Sequence, residues 1–87
     1  MRIRHKPLGD RNLIGSRVEQ RRLALGFRQK ELLTQLQVRG IDMTASGLSK
    51  LEGQVRIVTD KELKGLAEVL HVSYDWLLGI PNEATTV

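Results

Sequence analysis

The stretch Thr44-Ala45-Ser46-Gly47-Leu48-Ser49-Lys50-Leu51-Glu52, followed by Gly53-Gln54-Val55-Arg56, decides how this chain is read. Thr44 is a good N-cap, because its hydroxyl can accept from a free amide one turn on. Gly53 supplies a stop. Between them Leu48 and Leu51 are the only large apolar residues. They stand three apart, which predicts one narrow buried stripe on a helix. The remaining positions, Ala45, Ser46, Gly47, Ser49 and Lys50, are small or hydrogen-bonding. A helix that serves only to pack is rarely so sparse. A helix lying in a DNA major groove needs small side chains for close approach and a few donors to read base edges.

Four more helices are predicted around this one. Ile14, Val18 and Leu25 recur at spacings of four and seven, giving a first helix from about Leu13 to Leu25 with Asn12 as its N-cap. Gly26 stops it and Phe27 is the apolar residue beyond. Leu32, Leu33 and Leu36 mark a second helix over Gln29 to Val38, and Gly40 with Ile41 behind it suits a Schellman-type end. Thr59 and Glu62 form a T-x-x-E capping box for a helix over Asp60 to Leu70, lined by Leu63, Leu66, Ala67 and Leu70. Ser73 caps a short last helix from Tyr74 to Leu78, which Gly79 and Pro81 end. No strand-like alternation, internal repeat or low-complexity tract occurs. The expected fold is all-α, a compact five-helix bundle over residues 12–81. Residues 1–11 read as a flexible basic tail, either plain or an arm toward DNA, and residues 82–87 as a C-terminal tail.

Composition narrows the function. A chain of 87 residues suffices for one domain. Cysteine is absent, which excludes disulfides, Cys-ligated zinc and thiol catalysis. His5 and His71 are far apart and lack metal-ligand spacing, and no carboxylates cluster, so neither a metal nor another cofactor is expected. Serines and threonines stand on helix caps with no base arranged around them, so the chain is not expected to be an enzyme and no small-molecule substrate is expected. No apolar run approaches the roughly 18 residues of a membrane span, and no apolar stretch follows the basic N-terminus as in a signal peptide. A cytoplasmic protein without membrane partners is expected. The net charge of +4 is uneven: residues 1–56 carry +7 and residues 57–87 carry −3. A basic part joined to an acidic part suits one surface for a polyanion and another facing elsewhere.

The segments SRVEQRRLALGFRQKEL (16–32), GLSKLEG (47–53) and LAEVLHVSYDWLLG (66–79), in that order, resemble the Xre family, the helix-turn-helix DNA-binding domain of lambdoid-phage repressors and Cro. The resemblance covers roughly residues 13–80. It implies a lambda-repressor-like fold and a bacterial or phage-encoded origin. The 23 residues from Gln29 to Glu52 exceed the family's usual spacing by several, around Gln37 to Met43. Either the second helix is longer or the turn is wider. LQVRGIDMT and RIVTD resemble a branch with this lengthened turn.

The resemblance also assigns roles. Ala45, Ser46 and Lys50 match positions that meet base edges, with Ser49 and Gly47 close by. Lys50 either donates to guanine or meets phosphate. Gly47 replaces a more usual Thr or Ser, and either permits closer approach to the backbone or is tolerated at an exposed site. Gln29 matches a glutamine that contacts phosphate and braces the third helix. Arg22 and Glu52 match a structural pair, with Arg22 near enough to phosphate to help. Arg28, Lys30 and Thr44 complete the phosphate set at the helix N-termini. Gln54 and Arg56 occupy the loop that usually meets the DNA backbone, and Arg39 is a further candidate there. The implied function is sequence-specific double-stranded DNA binding in transcriptional regulation, as a repressor and a homodimer. Leu77, Leu78 and Ile80, with Trp76, belong either to the dimer interface or to the ordinary core, Trp76 first of all to the core, and a regulatory protein partner is a further expectation. The rival reading is a protein-interaction module, such as an antitoxin or anti-repressor, on the same fold.

Overall fold

The computed structural model describes residues 7–81. Most of the basic tail and all of the C-terminal tail expected from the sequence lie outside the described residues. Within them are five helices and no strand: α1 (Gly15–Ala24), α2 (Gln29–Val38), α3 (Ala45–Glu52), α4 (Asp60–Leu70) and α5 (Tyr74–Leu78). No helix among the described residues is long and apolar enough to cross a membrane.

Local capping chemistry explains most of the boundaries. Thr44 Oγ1 accepts from Gly47 N–H at 2.9 Å. The Thr59 hydroxyl accepts from Glu62 N–H, and the Glu62 carboxylate accepts from Thr59 N–H, the two halves of a capping box. Ser73 Oγ accepts from Trp76 N–H. At the start of α2 the box is half made. The Glu31 carboxylate accepts from Arg28 N–H at 2.7 Å, but an arginine side chain has no acceptor to return. Helix α1 begins at Gly15, later than the Leu13 expected. Asn12 Oδ1 accepts from both Ile14 and Gly15 N–H, so an Asx turn occupies the two residues before the helix.

Both α1 and α2 end in Schellman motifs. Phe27 N–H donates to Arg22 C=O past Gly26, and Ile41 N–H donates to Leu36 C=O past Gly40. Each glycine has φ near +78°, a conformation that costs a residue with a Cβ roughly 1–2 kcal/mol. Helix α2 stops at Val38, and residues 39–44 form the connection to α3. It is packed. Met43 is buried, and the Ile41 side chain fills the space that a Cβ on Gly65 of α4 would take.

The core draws one face from every helix. Val18, Leu32, Leu36, Leu48, Leu51, Leu66, Leu70 and Leu77 are fully buried. Burial of each leucine is worth about 1.5–3 kcal/mol. Helix α3 packs on α1 and α2, while α4 packs on α1, α2 and α5. Leu77 is 0% exposed, which corrects its expected place in a dimer interface: it belongs to the core. Leu78 is half-buried and Ile80 exposed. The Arg17 guanidinium lies 5.1 Å from the centroid of the half-buried Trp76 ring, a cation–π contact between α1 and α5.

Candidate nucleic-acid interface

Helix α3 has two faces with different chemistry. Leu48, Leu51 and Glu52 are buried. Ala45, Ser46, Ser49 and Lys50 are exposed and follow one another along a single outward stripe. Among the described residues, the side chains of Ser46, Ser49 and Lys50 make no hydrogen bond or ion pair within the chain. Their donors and acceptors face solvent.

The inner face is held by a polar hub at Glu52, which is 1% exposed. Arg22 of α1 meets its carboxylate twice, Nε to Oε2 at 2.7 Å and Nη2 to Oε1 at 3.1 Å. Gln29 at the start of α2 donates Nε2–H to Glu52 Oε1 at 2.9 Å. Arg22 Nη1 donates to Phe27 C=O at 2.9 Å. The hub joins α1, the α1–α2 turn, α2 and α3. No buried side-chain polar atom among the described residues lacks a partner. Such a pair sets orientation more than it adds stability, because desolvation offsets much of the Coulombic gain. The hub also corrects one expectation. Arg22 is 2% exposed with its guanidinium engaged, so it cannot reach a phosphate.

Two further residues expected at phosphate, Gln54 and Arg56, carry internal bonds. Gln54 Oε1 accepts from Ser16 N–H at 3.0 Å, and its Nε2 donates to Gly9 C=O at 3.2 Å. Gln54 C=O accepts from Arg11 N–H, and Gly53 C=O from Gly9 N–H. Gln54 thus clips the segment before α1 onto the loop after α3, with its own backbone in the left-handed region at φ 60°. Asn12 completes the clip by donating Nδ2–H to Leu51 C=O and Arg56 C=O. The stretch read as a loose tail is therefore anchored at residues 9–11.

Arg56 is a brace. Its Nε donates to Gly47 C=O at 2.9 Å on α3, and Nη1 donates to Ile57 C=O at 2.7 Å. Nη1 and Nη2 grip the Glu62 carboxylate at 3.0 and 3.1 Å. Partial burial alone would raise the Glu62 carboxyl pKa. The Arg56 hydrogen bonds and charge, with the Thr59 N–H and hydroxyl, outweigh that and hold it below its ordinary 4.5. Gly47 lies inside this arrangement: a Cβ there would stand 3.2 Å from Thr44 Oγ1 and press on the cap.

Among the described residues, Lys50 of α3 and Arg28 and Lys30 at the start of α2 are exposed cations. Arg28 lies 3.7 Å from Glu31 with most of its side chain exposed. The exposed Thr44 is occupied as the α3 cap. Arg39 donates to Gln35 C=O and lies 3.6 Å from Glu68 of α4, so it serves the wide turn. Among the described residues no three His, Cys, Asp or Glu side chains are placed to share a metal ion. Comparison of the chain with protein-family profiles, with characterised proteins and with solved structures finds no match.

Proposed function

We propose that this chain is a helix-turn-helix module of the Xre type that binds double-stranded DNA sequence-specifically, with α3 as the reading helix, and that it represses transcription as a homodimer on a two-fold site. One observation carries the reading. The outward stripe Ala45, Ser46, Ser49 and Lys50 is small, polar and unoccupied, on a helix whose opposite face is fixed to three other elements. Rigid presentation of a few donors is what base readout requires, because each misplaced donor forfeits its share of discrimination.

Around that stripe the reading assigns Lys50, Arg28 and Lys30 to charge contacts, with the N–H groups at the start of α2 adding favourable dipole for phosphate. Lys50 alone has reach enough to read a base edge at distance. Ser46 and Ser49 read at close range and Ala45 offers a methyl to thymine. Helix α3 has 8 residues. At about 1.5 Å per residue it is some 12 Å long and meets only a few base pairs, so two copies are needed for a useful site.

Anisotropy titration of labelled duplex DNA across a salt series tests this. Affinity should fall linearly in log–log form as salt rises, and amide shift changes on binding should concentrate on residues 44–50 and 28–30. Binding indifferent to salt, or shift changes confined to α4 and α5, would contradict it.

A further inference from the structure

An apolar groove that includes no residue of α3 runs between the segment before α1 and the α3–α4 loop. It has a volume of about 420 Å³, and Leu13, Ile14, Ile57, Val58, Leu63 and Leu78 form its walls. Leu13 and Ile57 at its mouth are 71% and 66% exposed. Isolated exposed aliphatics are ordinary, but two beside one apolar groove make a contiguous patch of the kind that marks an interaction surface. Among the described residues, its rim carries one charge of each sign, Arg11 and Asp60. Both are exposed, and among the described residues neither is in an ion pair.

We propose that this groove receives a second copy of the chain across a two-fold axis. Leu13 and Ile57 of each copy enter the groove of the other, and Arg11 of each copy faces the partner's Asp60. A two-fold contact uses the same patch twice, so the patch must complement itself. This one supplies both the projecting side chains and the space for them, and both signs of charge. A polyanion would find opposed charges on this rim, Arg11 against Asp60, and little to bind on the apolar walls. Of the residues expected at a dimer interface, Leu78 lies in this groove. Ile57 also ties the contact to α3, since the Arg56 side chain that holds Gly47 C=O bonds Ile57 C=O too. The inference rests on the paired-module reading for its use, but its test contains no DNA, so the two can fail separately.

The test is sedimentation equilibrium of the full chain from about 1 μM to about 1 mM, the span of modest dissociation constants. A monomer–dimer equilibrium is expected, lost in Leu13→Asp and in Ile57→Asp while the far-ultraviolet circular dichroism stays helical. Arg11→Glu and Asp60→Lys, both on exposed side chains, should each weaken the dimer by about three- to tenfold. An equimolar mixture of those two variants should associate more tightly than either alone, because both rim contacts then join opposite charges. A wild-type chain that stays monomeric over the whole span overturns the proposal. So does a dimer indifferent to the Leu13 and Ile57 changes, or a mixture no tighter than its components.

Discussion

Ile41 occupies the place of the side chain that Gly65 lacks. This contact seats the wide α2–α3 turn on α4 and so helps decide where α3 begins. Alanine at position 65 would gain about 1 kcal/mol in helix propensity, but its methyl would meet Ile41, and overpacking costs about 1–3 kcal/mol. Gly65→Ala is expected to destabilise the chain by up to about 2 kcal/mol, and to be neutral or stabilising when Ile41→Ala is also present. Urea unfolding of the four members of this cycle measures the coupling. Additive effects would mean that the contact does not hold the turn.

The Arg22–Glu52 pair predicts a sharper loss. Removing one partner leaves a buried charge with too few contacts, which costs about 3–5 kcal/mol. Arg22→Met is expected to leave much of an 87-residue chain unfolded. Arg22→Met with Glu52→Met should recover a large part of the stability, as judged from thermal midpoints.

Gln54 distinguishes a clip from a phosphate contact. Gln54→Ala removes two hydrogen bonds, a loss of roughly 1–2 kcal/mol, and should speed amide exchange at Gly9, Arg11 and Ser16. It should leave the salt dependence of DNA binding unchanged. Lys50→Ala or Arg28→Ala should instead reduce that slope by about 1.

Acid should weaken the brace between α3 and α4. The Glu62 carboxyl lies below its ordinary 4.5 in the folded chain, so its contribution is complete above that pH and is lost as the pH falls through the folded value. Glu62→Gln should therefore differ from wild type in urea midpoint near pH 7, and the difference should shrink near pH 3. A constant difference would assign the effect to shape and not to charge.

The helices were legible because caps are local. Thr44, Thr59 with Glu62, Ser73, Gly26 and Gly40 each act within a few residues, and the boundaries follow them. The occupancy of the donors was not legible. Gln54 finds partners 38 and 45 residues away, and Asn12 finds them 39 and 44 away, so no local pattern announces either bond. Arg56 reads as an exposed loop arginine until the fold brings Gly47 and Glu62 beside it. Gly9 and Gly15, where a Cβ would meet Gln54 C=O and Leu51 C=O, are sequence signals that the segment before α1 meets the end of α3. The outward stripe of α3 was readable because it depends on what the sequence omits: large apolar side chains opposite Leu48 and Leu51.

If α3 reads DNA, selection of bound duplexes from a random pool at low salt will reveal the sequence it reads. Enrichment of a palindrome with half-sites about one helical turn apart is expected, with relaxed preference at one position of each half-site for Lys50→Ala. No enrichment over background, or a preference unchanged by substitution at Ser46, Ser49 and Lys50, would contradict it.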